Sequence, residues 1–139
     1  MVKTIRFGVS LPQELTRAFD ALIRGKGYRN RSEAVRDIMR DYLVEEQWQS
    51  ERGEVVGTIT LVYDHATREL SQALTELQHQ FRGTVYCSTH VHLDAHHCLE
   101  VIVVKGSSKQ VRNMADRLIS SRGVKHGKLV CTTTGRGLK

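Results

Sequence analysis

Residues 4–11, TIRFGVSL, alternate. Ile5, Phe7, Val9 and Leu11 are apolar, and Thr4, Arg6, Gly8 and Ser10 between them are not. A period of two predicts a half-buried β-strand. Pro12 ends it, at a position suited to the start of a helix. The period then changes. Leu15, Ala18, Phe19, Leu22 and Ile23 fall on one helical stripe, broken by Gly25 and Gly27. NRSEAVRDIMRDYLVEEQW predicts a second helix, with Asn30 or Ser32 as its cap and Glu33 three residues after Asn30 as in a capping box. Its stripe is Ala34, Val35, Ile38, Met39, Tyr42 and Leu43.

The first 48 residues therefore read strand, helix, helix. A single strand leaves its backbone donors and acceptors unpaired. Pairing with the same strand of a second chain is the simplest remedy, and it predicts a dimer with an antiparallel two-stranded ribbon. Ile5, Phe7 and Val9 then face the helices, while Arg6, Gly8 and Ser10 face outward. Such a ribbon fits the major groove of B-DNA, where Arg suits guanine acceptors. The amino end of the second helix, with Arg29, Arg31 and Ser32, suits an anion through its dipole and free N–H groups.

QSERGE, residues 49–54, reads as a linker. Beyond it the pattern is strand (EVVGTITLVYD), helix (TRELSQALTELQHQF), strand (TVYCSTHVHL), strand (CLEVIVVKG), helix (SKQVRNMADRLISSRG), strand (VKHGKLVCTTT). That βαββαβ order predicts a ferredoxin-like sandwich with two helices on one face of a four-stranded antiparallel sheet. The fold class is α+β, with a ribbon–helix–helix domain over 1–48 and a ferredoxin-like domain over 54–139. The final GRGLK predicts a frayed tail.

Charge sharpens the division. The first 40 residues carry nine Lys or Arg against four Asp or Glu, which points to a polyanion partner for that half. Three cysteines make no disulfide framework, and no run approaches the roughly 20 apolar residues of a membrane helix. The expectation is a cytoplasmic protein with reduced thiols, no membrane partner and no signal peptide.

The chemistry concentrates in HVHLDAHHC, residues 90–98, which holds four of the seven histidines and one of the three cysteines. His90 and His92 sit two apart on a strand and face one way. Cys98 returns beside His92 across the turn. These ligands are borderline to soft, so they suit Ni(II), Cu(II), Zn(II) or Co(II), and a fourth must come from elsewhere. His79, near the end of the preceding helix, is the best candidate by chemistry. His96 and His97 read as solvent-facing turn residues, His65 and His126 as surface, and Cys87 and Cys131 as small buried hydrophobes. A metalloenzyme needs an open coordination position and a general base. Only Asp94 lies beside the cluster, so no enzyme is expected.

The spacing H-x10-H-x-H-x5-C, together with HVHLDAHHCLEVIVVKG, ISSRGVKHGKL and NRSEAVRDIMRDYL, resembles the nickel-responsive transcriptional repressors over almost the whole chain. The resemblance implies one Ni(II) per subunit in a square plane, held by His90, His92 and Cys98 of one chain and His79 of a neighbour. It implies a homotetramer, a dimer of dimers, built on the ferredoxin-like halves (an ACT-type domain). It also implies a ribbon that reads a palindromic double-stranded operator through Arg6, Gly8 and Ser10. Gly8 departs from the hydroxyl side chain that the family pattern often has there. Glu33 and Asp37 match acidic positions that bind potassium in some members. Nickel-dependent repression of nickel uptake is the implied function; a ribbon–helix–helix regulator sensing zinc, cobalt, copper or a small molecule is the alternative.

Overall fold

A computed structural model of the chain describes residues 2–67 and 69–138. Its elements are α1 (Gln13–Gly25), α2 (Arg31–Ser50), β1 (Val55–Asp64), α3 (Leu70–Gln80), β2 (Val85–His92), β3 (His97–Gly106), α4 (Ser108–Ile119) and β4 (Val124–Thr132). The chain divides into two compact units, one of Val44–Thr134 and the other of the residues before Val44 with the tail from Gly135.

In the larger unit the four strands lie in the order β2-β3-β1-β4, all antiparallel. Burial alternates strictly along β1 and β3. Ile59, Leu61, Tyr63, Ile102 and Val104 pack with Leu70 and Leu74 of α3 and with Val111, Met114 and Leu118 of α4. This is the expected ferredoxin-like arrangement. On the opposite face Val62, Leu99, Val101 and Val103 stand side by side across β1 and β3, and Val91 and Val130 extend the apolar surface onto the edge strands.

α4 is the best specified helix. Ser107 accepts from the Gln110 N–H at 3.2 Å, and the Gln110 side chain accepts from the Ser107 N–H. That reciprocal cap satisfies two end groups a helix otherwise leaves open. Gly127 lets the α4 end approach β4: a Cβ there would lie 2.6 Å from Ile119 Cγ1.

In this unit two expectations change. α2 continues through Ser50 rather than ending before a linker at 49, because its last turns have a core to join. Trp48 is buried, donates Nε1–H to the Thr132 carbonyl at 2.9 Å, and lies over Gly57, whose missing side chain makes room for the indole. Cys87 and Cys131 are exposed rather than buried, since each lies on an edge strand, β2 or β4.

In the smaller unit residues 2–12 form no strand within one chain. Ile5, Phe7 and Val9 are exposed, as are Ile38, Met39, Tyr42 and Leu43 of α2. Arm and helices line an apolar groove of about 1000 Å³. The tail is not frayed as expected: the Leu138 N–H bonds to the Gly135 carbonyl, and Gly137 and Leu138 line the same groove. Among the described residues, no helix is long and apolar enough to cross a membrane.

Candidate metal centre

The centre forms at the turn end of the β2–β3 hairpin. The register pairs His90 with Glu100 and His92 with Cys98. Period two puts all four on the face that α3 and α4 cover further along the sheet. The turn is locked from inside. Asp94 Oδ1 accepts the N–H groups of His96 and His97 at 2.8 Å each, and its Oδ2 lies 2.8 Å from His97 Nδ1. Those donors, the His96 N–H foremost, hold the Asp94 carboxyl well below the usual range. Lys125 Nζ sits 2.9 Å from His97 Nε2. The carboxylate takes the proton on Nδ1, so Nε2 accepts from the ammonium.

Cys98 is buried, and its Sγ lies 3.9 Å from His90 Nδ1. His90 Nε2 faces Glu100 Oε1 at 3.3 Å. Glu100 is 1% exposed, yet each of its carboxylate oxygens has a donor. Ser88 Oγ donates to Oε1 at 2.7 Å, Gln78 Nε2 donates to Oε1 at 2.9 Å, and the Tyr63 hydroxyl donates to Oε2 at 3.0 Å. A buried charge needs such a shell. Burial, with Glu100 beside it, raises the Tyr63 phenol above its ordinary range. The Tyr63 oxygen also lies 3.2 Å from His90 Nδ1. The His90 ring thus lies between the Glu100 carboxylate on its Nε2 side and the Tyr63 oxygen and Cys98 sulfur on its Nδ1 side. A carboxylate behind an imidazole is the usual way a ligating histidine is oriented.

His92 turns elsewhere. Its ring stacks on His65 with centroids 4.7 Å apart, and His65 Nε2 is buried with no hydrogen-bond partner among the described residues. His65, expected at the bare surface, is thus half-buried against a candidate ligand. His79 is exposed near the end of α3, one residue from Gln78, which touches Glu100. His126 is exposed, as expected. Among the described residues no group of three or more His, Cys, Asp or Glu is close enough to hold a metal. One chain brings His90 and Cys98 together and leaves His92 and His79 apart from them. A thiol and an imidazole nitrogen side by side, with an unsatisfied buried imidazole nearby, nevertheless form a donor set suited to a borderline divalent ion.

The sequence reading passed over Glu100, Tyr63, Gln78 and Ser88. Glu100 was the one with a signal: it is the single charge in the run Leu99–Val104, two residues after Cys98.

On the smaller unit, Arg6, Gly8 and Ser10 are exposed on the arm. Asn30 Oδ1 accepts the Glu33 N–H at 2.9 Å, so Asn30 rather than Ser32 caps α2. Ser32 is exposed in the first turn. Arg31 is held by both oxygens of Asp20. Glu33 and Asp37 stand one turn apart on α2; Asp37 accepts from the Tyr28 hydroxyl at 2.9 Å and pairs with Arg40 at 3.5 Å.

Residues 56–132 match the NikR C terminal nickel binding domain, and residues 5–46 match the ribbon-helix-helix protein family, copG type. Two proteins bearing the name nickel-responsive regulator are similar throughout. That of Geobacter sulfurreducens is 57% identical over 138 residues, 99% of each chain. That of Thermococcus kodakarensis is 52% identical over 137 residues, also 99% of each. Among solved structures, an uncharacterized protein of Thermotoga maritima superposes with a TM-score of 0.52 at 16% identity, covering 58% of this chain and all of its own. That likeness concerns the fold alone.

Proposed function

The chain belongs to the family of nickel-responsive regulators, and from that premise we propose that it is a nickel-dependent, DNA-binding transcriptional repressor of nickel uptake, a regulator and not an enzyme. Residues 1–48 serve as the DNA-binding part and 54–139 as the metal-binding and tetramerisation part, in the cytoplasm. His90, His92 and Cys98 of one chain, with His79 of a neighbour, hold one Ni(II) per subunit. The observation that carries this reading is the His90–Cys98 pair, 3.9 Å apart with Glu100 beside it, while the remaining candidate ligands, His92 on the same hairpin and His79 on α3, are exposed.

His79, from a neighbouring subunit, would complete the set, so a bound ion would favour the subunit arrangement that brings it to the hairpin; only such differential affinity shifts a population. The chain supplies the rest. Glu100 and Tyr63 fix the His90 ring, and Asp94 with Lys125 fixes the turn that carries Cys98. The open sheet face and the exposed stripe of α2 offer apolar surface to a homotetramer, a dimer of dimers. Paired arms present Arg6, Gly8 and Ser10 to base edges of a palindromic duplex, while the first turn of α2, from Arg31 and Ser32, meets the backbone. Glu33 and Asp37 take a potassium ion. Binding needs a thiolate and neutral imidazoles, so it weakens as pH falls.

Mixed oligomers test the shared site. Cys98→Ala alone and His79→Ala alone should each lose the visible absorption of a nickel–thiolate complex and the gain in operator affinity on adding nickel. Mixing the two variants should restore part of both, because some interfaces then hold a complete set. Full nickel response in either variant by itself would sink the ligand assignment; an operator gripped equally well in a strong chelator would sink the regulatory reading.

A further inference from the structure

After β4 the chain meets α2 again, in reverse order. Trp48 Nε1–H donates to the Thr132 carbonyl at 2.9 Å, and Thr133 Oγ1 donates to Gln47 Oε1 at 3.4 Å. The residues from Gly135 onward then belong with the arm and the first part of α2 and not with the sheet. They are folded by their own sequence. The Leu138 N–H bonds to the Gly135 carbonyl at 3.3 Å, which closes a four-residue turn. Gly137, at its third position, has φ +81°, and Gly135 has φ +82°. Both angles lie in the left-handed region that glycine enters at no steric cost. GRGL thus has glycine at the two places where a side chain would strain the turn.

The turn delivers Leu138. That side chain is half-buried, and it lines the apolar groove together with Phe7, Val9, Met39 and Leu43. One leucine is a small occupant for a groove of about 1000 Å³. With the tail in place Phe7 is still 68% exposed and Val9 66%. These are the side chains that a paired ribbon turns toward its helices. The tail and a second chain therefore draw on the same surface, and the larger apolar area removed from water prevails.

We propose that Gly135–Leu138 is an intrachain occupant of the groove, and that pairing of two arms requires each tail to leave. The proposal rests on the reading that two arms pair into a ribbon. It adds a competitor to that association, one that covers part of the groove while a chain is single.

The test uses the full chain across a dilution series, with a fixed amount of urea that brings the midpoint of pairing into range and leaves β1 and β3 protected. Hydrogen exchange at residues 4–10 reads pairing of the arms. The methyl resonances of Leu138 read the tail. As arm protection rises with concentration, the Leu138 methyls should move to the positions of a free leucine. A chain ending at Thr134, and Leu138→Ser in the full chain, should both pair more tightly. Half the burial of one leucine corresponds to about fivefold per chain, and two tails leave, so the midpoint should fall by about 25-fold. Leu138→Met keeps the apolar bulk and should stay within about twofold of native. Leu138 methyls that hold their place while the arms are protected would overturn the proposal, as would a midpoint unchanged or raised in both the shortened chain and Leu138→Ser. Arms of the unaltered chain that gain no protection at any concentration would overturn the ribbon reading itself, a failure seen before any substitution is made.

Discussion

The two halves of this molecule use apolar residues in equal earnest and to opposite effect. In Val44–Thr134 the side chains of Ile59, Leu61, Ile102, Met114 and Leu118 are wholly buried within one chain. In the arm and first two helices, Ile5 is 79% exposed and Tyr42 70%. α4 has a sheet to lie on, whereas α2 buries Ala34 near its start and Trp48 near its end and leaves Ile38, Met39, Tyr42 and Leu43 between them exposed. Such a patch marks an association surface. The first unit is therefore half of a structure, and the second is a structure that also offers a face.

The sharpest way to break this contrast is at Trp48, the one tryptophan. It sits on α2 but belongs to the sheet's core. Trp48→Ala should destabilise that unit by about 3–5 kcal/mol, the usual cost of a large aromatic truncation. Chemical denaturation followed by far-ultraviolet circular dichroism would measure it, and the shift should not depend on protein concentration. In the native chain, tryptophan fluorescence should change with the sheet's transition and not with loss of DNA binding. Phe7→Ala carries the opposite signature. It removes apolar area from a surface that needs a second chain, so its cost should grow as the protein is diluted. Size measurement across a dilution series should show earlier dissociation, with the sheet's denaturation midpoint unchanged. A concentration-independent loss would place Phe7 in a core of its own chain. Gly127→Ala is smaller. Its Cβ would press on Ile119 and Leu61, an overpacking that costs about 1–3 kcal/mol in a core that cannot yield. A native melting curve would mean that α4 moves freely away from β4.

How far the chain could be read in advance follows the same line. Strand alternation and helical stripes located all four C-terminal strands, because period decides burial when both layers are present. Period also predicted a strand in the arm, but a strand needs a partner, and within one chain residues 2–12 form none. The end of α2 was misplaced because polar residues 49–54 look like a linker, while the seat for Trp48 is made by Gly57 and Thr132, far away in sequence. The histidine–cysteine cluster was legible as chemistry: spacing set Cys98 across from His92, as the register has it, but the ring that meets the sulfur is that of His90. The stacking of His65 on His92 and the buried Glu100 were not drawn from it, since both depend on which strands are neighbours in space. Glu100 opposite His90 follows only once β2 and β3 are in register. The same holds for Asp20 and Arg31, eleven residues apart across a turn whose geometry no periodicity fixes.

Acid gives the smallest and most selective probe of the contrast. The Asp20 carboxyl is held below its ordinary value near 3.8 by the Arg31 guanidinium. A carboxyl so depressed binds protons more readily in the unfolded chain than in the folded one. Its contribution is therefore complete above the unfolded value, and it fades as pH falls through the folded one. Between about pH 5 and the acid limit, the first unit of the native chain should lose stability that Asp20→Asn has already lost. The two should thus converge at low pH and differ at neutral pH. The pair is solvent-exposed on the arginine side, so the difference is modest and shrinks with added salt. Hydrogen exchange at the α1–α2 turn, measured at neutral and acid pH in both proteins, reads the effect where it acts. The amides of β1 and β3 are the internal control, for nothing about Asp20 should alter their protection. If the turn in Asp20→Asn exchanges at the native rate at neutral pH, the ion pair adds nothing to the order of the first unit, and that unit depends on its second chain alone.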